Sequence, residues 1–319
     1  MNATSLLLGA VVATACFACG ARTSLDSLDS LDSFDSGVGG GATSITFMVP
    51  LGPYSGCVAT TVTVSPHLEG VAGGNGTLTL VEKGEGVLGA TLSFDRFASG
   101  AVTFRPTTTT SAAFAPGETF DIDTVDYRGS RETIHATAGS LALVGETLFL
   151  SLEGDSADAI VSAYVHCPLP ASRPKASVAT SVLPSTSVTP GVYRSCTSNF
   201  GSSTGGILAG GAGTVTVTSN EGALRATWDN ALTPVCGRLD FGATSGGLAS
   251  LTAGQTCDVR QPCGPPPTLG PSTTPSVATL TSMEGSMTVD QHSLFINVVG
   301  DTTPLTCGTH YFSIICASE

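Results

Sequence analysis

Residues 146–155 read ETLFLSLEGD. Leu148, Leu150 and Leu152 fall on one side of an alternating run, with Phe149 and Ser151 on the other. A period of two is the pattern of a half-buried β-strand, whose successive side chains point to opposite faces. Gly145 stands before the run, and Gly154-Asp155 reads as the turn that ends it. Residues 292–301, HSLFINVVGD, repeat the shape: Leu294, Ile296 and Val298 share a face, with Phe295 and Asn297 opposite.

The echo extends in both directions. YSGC at 54–57 matches YRSC at 193–196, GTLTL at 76–80 matches GTVTV at 213–217, and VLGAT at 87–91 matches ALRAT at 223–227. Residues 99–122 align with 236–259 without a gap at an offset of 137. Gly139-Ser140 then matches Gly285-Ser286 at an offset of 146, so the second copy carries about nine extra residues, in the Pro-rich segment 260–276. Each copy closes on Cys, YVHC at 164–167 and FSIIC at 312–316. These collinear matches indicate a duplicated domain, with copies at 45–167 and 190–319. The segment 168–189 is rich in Pro, Ser and Thr, the composition of an interdomain linker.

Composition agrees with strands. Only 12% of the 319 residues are charged, mean hydropathy is +0.28, and Gly alone accounts for 39 positions. Thr and Val runs punctuated by Gly suit short strands and tight turns. About eight strands per copy are expected, with little helix. The expected fold is all-β: two tandem antiparallel domains, each an up-and-down barrel or, as the alternative, a β-sandwich. The net charge of −13 argues against nucleic acid as a partner, since phosphate binding needs a basic surface.

Eight cysteines lie in the two copies. Cys57 and Cys167 sit on the first and last strands of copy one, and Cys196 and Cys316 occupy the same places in copy two. Each pair is expected to bond, which requires first and last strands to be neighbours, as barrel closure demands. Copy two adds Cys236, Cys257, Cys263 and Cys307. A hairpin over 237–252 brings 236 and 257 to one end, so Cys236–Cys257 with Cys263–Cys307 is the preferred pairing of the three possible. No CxxC spacing occurs among these eight, against a zinc ribbon or a dithiol redox centre.

The apolar run LLLGAVVATACFAC, residues 6–19, is too short to span a bilayer and has the length of a signal-peptide core. With Cys19 after Ala18, it resembles a bacterial lipoprotein signal. The resemblance implies removal of residues 1–18 and lipidation of Cys19, with Cys16 as the alternative. Gly20, rather than Asp, follows Cys19, which implies delivery to the outer membrane or surface of a Gram-negative cell; ordinary secretion is the other reading. The membrane, through the lipid, would then be one partner. SLDSLDSLDSFDS at 24–36 has a period of three, which fits neither helix nor strand, and glycines follow. Residues 19–44 read as a solvated tether. At the head of each copy, GPY at 52–54 and GVY at 191–193 distantly resemble the Gly-x-Trp opening of small lipocalin-like barrels, which implies a closed meander.

No motif for catalysis emerges. GDSAD at 154–158 resembles the Gly-Asp-Ser block of some esterases, but its counterpart GDTTP at 300–304 lacks Ser, and a strand-ending turn is the simpler reading. Ser172 and Lys175 have Ser-x-x-Lys spacing but lie in the linker, where nothing desolvates a lysine. His67, His135, His166, His292 and His310 show no metal-ligand spacing and read as surface or strand-edge residues. Asp121, Asp123 and Asp126 lack the Gly and Glu of a calcium loop. Trp228 reads as core. The polar residues differ between copies while the scaffold residues recur. The expectation is therefore a non-enzymatic protein without cofactor or metal, binding an unknown ligand in a barrel lumen or on a loop face. A structural or adhesive envelope protein is the alternative, and a hydrolase the last.

Overall fold

The structure is a computed structural model and describes residues 44–64, 68–95, 99–125, 130–156, 159–170, 178–181, 187–202, 206–229, 231–232, 235–244, 247–260, 277–290, 293–303 and 309–317. Cys16, Cys19, the tether, Ser172, Lys175, Cys263 and Cys307 lie outside the described residues.

β1 (Ser44–Phe47) precedes a first barrel built from β2 (Gly52–Val64), β3 (Leu68–Gly84), β4 (Val87–Phe94), β5 (Ser99–Pro106), β6 (Ser111–Ala113), β7 (Phe120–Val125), β8 (Arg131–Val144), β9 (Thr147–Ser156) and β10 (Ala159–Pro168). β11 (Val178–Ser181), within the segment between the copies, pairs antiparallel with β1. The second barrel comprises β12 (Gly191–Ser202), β13 (Gly206–Asn220), β14 (Ala223–Trp228), β15 (Arg238–Phe241), β16 (Leu248–Ser250), β17 (Cys257–Arg260), β18 (Val277–Asp290), β19 (Ser293–Thr303) and β20 (Thr309–Cys316). Among the described residues there is no helix.

Both sheets are antiparallel meanders. In the first, β6 and β7 share the place between β5 and β8, and β2 pairs with both β3 and β10, which closes the barrel. In the second, the β15–β16 gap is crossed by Gly242 N donating to Ser250 O (2.8 Å) and Thr252 N donating to Asp240 O (2.9 Å), so closure is nearly complete. The fold is all-β, and the barrel reading holds over the sandwich.

Local chemistry explains the repeated turns. β3 and β4 are joined through Glu85 (φ 52°) and Gly86 (φ 72°), and β13 and β14 through Glu221 (φ 50°) and Gly222 (φ 84°). Two successive positive φ values make the type I′ turn that matches the twist of paired strands. Tyr-x-x-Cys is likewise a device rather than a label. Tyr54 OH donates to Pro50 O, and Tyr193 OH donates to Thr189 O at 2.8 Å. Each register then shifts before the cysteine, with Gly56 (φ 70°) and Ser195 (φ 49°) in left-handed backbone. This is the geometry of a β-bulge.

The alternating residues fill the lumens. Leu78, Leu80, Phe104, Leu148, Leu150 and Leu152 are fully buried in the first core, and Val215, Val217, Phe241, Leu294, Ile296 and Phe312 in the second. Trp228 packs in the second core with its indole N–H on Val235 O at 3.0 Å. Both lumens are thus lined by buried apolar side chains. Outward faces of β3, β4, β13 and β14 carry Thr77, Thr79, Thr91, Thr218 and Arg225, the reverse of a lipid-spanning barrel, whose apolar band faces out.

Disulfides join Cys57 to Cys167 across β2 and β10, Cys196 to Cys316 across β12 and β20, and Cys236 to Cys257. Their Cα separations are 4.2, 3.8 and 4.8 Å.

Two expectations need correction. Gly154-Asp155 is not a turn: it lies inside β9, paired with Ala136 and His135 of β8. Strand β9 is not half-buried either, since Phe149, Ser151 and Glu153 on its outer side are buried as well. The reason is tertiary. Both barrels belong to one compact unit, Ala42–Glu319, and β2, β8, β9 and β10 pack their outer faces against β12, β18, β19 and β20.

Candidate functional site

The seam between the barrels is where polar chemistry collects. Tyr164 OH donates to Thr197 Oγ1 (2.7 Å), which donates to Ser162 Oγ (2.6 Å). Ser313 Oγ donates to Asn297 Oδ1 (2.8 Å), so it accepts from His166 Nε2 at 3.0 Å. Ser151 and Asn297, which occupy equivalent places in the two copies, face each other with Oγ and Oδ1 3.5 Å apart. A Ser–Asn contact between equivalent positions marks a pseudo-two-fold relation between the barrels. Apolar side chains frame this network: Val62, Tyr164, Phe295 and Ile315 in one cluster, Val144, Phe149, Val299 and Tyr311 in another.

The pseudo-symmetry is broken by charge. Glu153 of copy one corresponds to Val299 of copy two, and Val144 to Asp290. Val144 and Val299 therefore meet in one cluster, while their counterparts form an acid pair. Burial pushes the Glu153 carboxyl up to about 7, with Asp155 and Asp290 adding repulsion and a hydrogen bond with Ser293 opposing it. Burial pushes Asp290 up to about 6, against hydrogen bonds from backbone N–H groups that include Gly139 N at 3.1 Å. A carboxyl in low dielectric favours its neutral form.

A cavity of about 410 Å³ opens at the edge of the seam, beside Val299. Val58, His166 and Pro168 line it from the first barrel; Val299, Thr309 and Tyr311 line it from the second. Three exposed carboxylates stand around it: Glu146 on the β8–β9 turn, Glu284 at the bulge of β18, and Asp301 on β19. Glu284 spans the seam, since a Cβ added at Gly145 would lie 3.1 Å from its Oε2.

His166 and Tyr311 are its most informative lining groups. Their rings stack at 3.9 Å, and Phe149 meets the imidazole edge-on at 4.9 Å. Both are almost completely buried, and His166 Nδ1 and Tyr311 OH have no hydrogen-bonding partner. Burial lowers His166 to about 3, so the ring is neutral. With Nε2–H committed to Ser313, Nδ1 carries a bare lone pair. The Ser313–His166 pair does not make a nucleophile: Ser313 gives its proton to Asn297, is fully buried, and no carboxylate orients Nδ1.

Among the histidines, His135 is exposed and bonds Asp121 at 2.9 Å, in keeping with a surface residue. His166 and His310 are buried, which corrects the surface reading, because the opposing barrel covers the first and the strand packing encloses the second. His67 and His292 lie outside the described residues. Asp123 accepts from Thr133 Oγ1 at 3.0 Å, and Asp126 lies outside the described residues. Among the described residues no cluster of three His, Cys, Asp or Glu could hold a metal ion. Sequence reasoning did not single out Glu153, Glu284, Asp290 or Tyr311, and it read His166 as a surface residue. Three of these, His166, Glu153 and Asp290, stand where the other copy has Ile315, Val299 and Val144. A polar residue aligned with an apolar one on an outward face was the available signal.

No known protein family matches the chain, and no curated protein matches it. Three solved structures are similar over most of its length. A Bacteroides fragilis protein assigned to the outer membrane is 11% identical, with 84% of this chain and 97% of that one covered and a TM-score of 0.24. A mutant transferrin-binding protein B of Haemophilus parasuis is 7% identical, with 85% and 76% covered and a TM-score of 0.27. A protein of unknown function from Nostoc punctiforme is 8% identical, with 83% and 94% covered and a TM-score of 0.21.

Proposed function

We propose that this chain is an exported, lipid-anchored, non-catalytic binding protein whose ligand site is the cavity at the seam between its barrels. The observation that carries the reading is the cavity itself. At about 410 Å³ it falls in the range of small-molecule sites, and it joins apolar walls to a few polar groups without partners. The lumens are lined by buried apolar side chains, whereas this cavity adds unpartnered polar groups to its apolar walls. Cys19 would carry the lipid, and each buried CH₂ contributes roughly 0.8 kcal/mol to membrane attachment. Residues 19–44 would act as the tether, and the surface of a Gram-negative cell would be the location. The pairing Cys263–Cys307 remains part of this proposal.

Two measurements test it. Cys19→Ala should abolish metabolic acyl labelling and membrane fractionation; labelling that persists moves the lipid to Cys16 or removes the anchor from the proposal. Amide NMR of the full chain against a small-molecule fragment set should cluster shifts at Glu146, Thr147, His166 and Tyr311. Shifts only on the outward Thr faces of β3, β4, β13 and β14 would favour the structural or adhesive reading instead.

A further inference from the structure

We infer that the seam cavity is a receptor for a small aliphatic N–H cation, an alkylammonium or a guanidinium. The inference rests on the reading of the cavity as the ligand site and adds the chemistry of what fills it.

Three observations converge. First, the charges are of one sign. Glu146, Glu284 and Asp301 line the cavity, and no Lys or Arg is among the lining residues. His166 adds no positive charge, because burial keeps its ring neutral. Second, two of the lining side chains carry polar atoms without a partner. The lone pair of His166 Nδ1 and the hydroxyl of Tyr311 are both buried and unpartnered. A buried acceptor without a donor is destabilising, and a ligand N–H would satisfy it. An anion or an ether would leave Nδ1 unsatisfied. Third, the walls are apolar. Val58, Val299, Pro168 and Leu169 would enclose an alkyl chain while its charged end faces the carboxylates.

The carboxylates come from separate elements: Glu146 from the β8–β9 turn, Glu284 from β18, and Asp301 from β19. They do not form a cluster able to hold a metal ion. Spread around a rim, they suit a cation with several N–H donors rather than a point charge needing six close oxygens. Ligand binding would also touch both barrels at once, since His166 belongs to the first and Glu284, Asp301 and Tyr311 to the second.

The test is calorimetric titration of the full chain in detergent with n-butylammonium, methylguanidinium, butyrate, n-butanol and Ca²⁺. The two organic cations should bind saturably and at least tenfold more tightly than butyrate, butanol or Ca²⁺. The double variant Glu284→Gln, Asp301→Asn should weaken cation binding at least tenfold with an unchanged circular dichroism spectrum. His166→Phe, which keeps an aromatic ring and removes the acceptor, should weaken it several-fold. If butanol or butyrate binds as tightly as butylammonium, the cation inference falls while the cavity stands as a ligand site. If Ca²⁺ binds as tightly, the rim is only an acidic surface and the inference falls. If no probe binds, both the inference and the site assignment fall. A lysine-bearing tripeptide with blocked ends separates the sources: tighter binding than butylammonium supports a basic side chain of a partner, weaker binding supports a free amine.

Discussion

Gly154 has no room for a side chain. A Cβ built there would lie 2.2 Å from His135 O and 2.7 Å from Ala136 Cα. The cause is the bulge in β8, where register shifts between Ala136 and Ala138. The second copy repeats the device at Gly300, beside the shift between Thr281 and Glu284, with 2.9 Å to Thr281 O. Gly-Asp has turn composition, so the sequence suggested a turn; a backbone approaching from another strand leaves no trace in a local pattern. Gly154→Ala should lower the urea midpoint by the equivalent of about 2–3 kcal/mol, and Gly300→Ala by less. Equal small losses at both positions, measured by equilibrium unfolding, would show that β8 yields freely. At the same scale, the unpartnered atoms of His166 and Tyr311 could not be read from single residues, because burial there depends on the opposing barrel.

At the scale of elements, closure depends on β2 meeting β10 and β12 meeting β20. That much was legible, because a cysteine on the first and last strand of each copy brackets a meander. The two latches span 110 and 120 residues of chain. In the chain-entropy account, closing a loop of that length restricts the unfolded ensemble by about 4.7 kcal/mol, less strain. The double variant Cys57→Ser, Cys167→Ser should therefore lower stability by about 2–5 kcal/mol. Refolding under reducing conditions should bring the unaltered chain to the same unfolding midpoint as the variant, or below it. A midpoint unchanged in urea would show that β2–β10 pairing needs no latch. The bulge after each Tyr was not legible. Tyr-x-x-Cys looked like a spacing signature, whereas its cause is a Tyr hydroxyl bonding back four residues and a left-handed residue before Cys.

For the whole molecule, the seam makes stability depend on pH. Glu153 and Asp290 have folded pKa values near 7 and 6, both above the ordinary carboxylate range. A group that holds its proton more tightly when folded stabilises the fold fully below its unfolded pKa and loses that contribution as pH rises through the folded one. Thermal stability should thus decline from about pH 4 to pH 8, steepest between the unfolded and folded values, at about pH 5–6, and levelling off above about pH 7. The Glu153 shift alone corresponds to roughly 3 kcal/mol across that window. Glu153→Gln should flatten the profile and raise the midpoint at pH 8. A variant that keeps the parent's pH slope would remove the acid pair as the cause. Ser293, Asp155 and the Gly139 N–H face these carboxyls, and the same measurement on Ser293→Ala would report how far the Ser293 bond offsets burial.

Alternation, glycine placement and the repeat determined, from the sequence alone, that the chain makes two all-β meanders with apolar lumens. Those signals are local: a period of two and a turn residue act over a few positions, and the duplication doubled the reading. The packing of one barrel on the other was decided only in three dimensions. An outward Phe149 or Ile315 looks like strand punctuation until a second surface covers it, and a Glu153 or His166 looks exposed. Burial is a property of what lies opposite, so the seam, its acid pair and its cavity came into view only when β2, β8, β9 and β10 met β12, β18, β19 and β20.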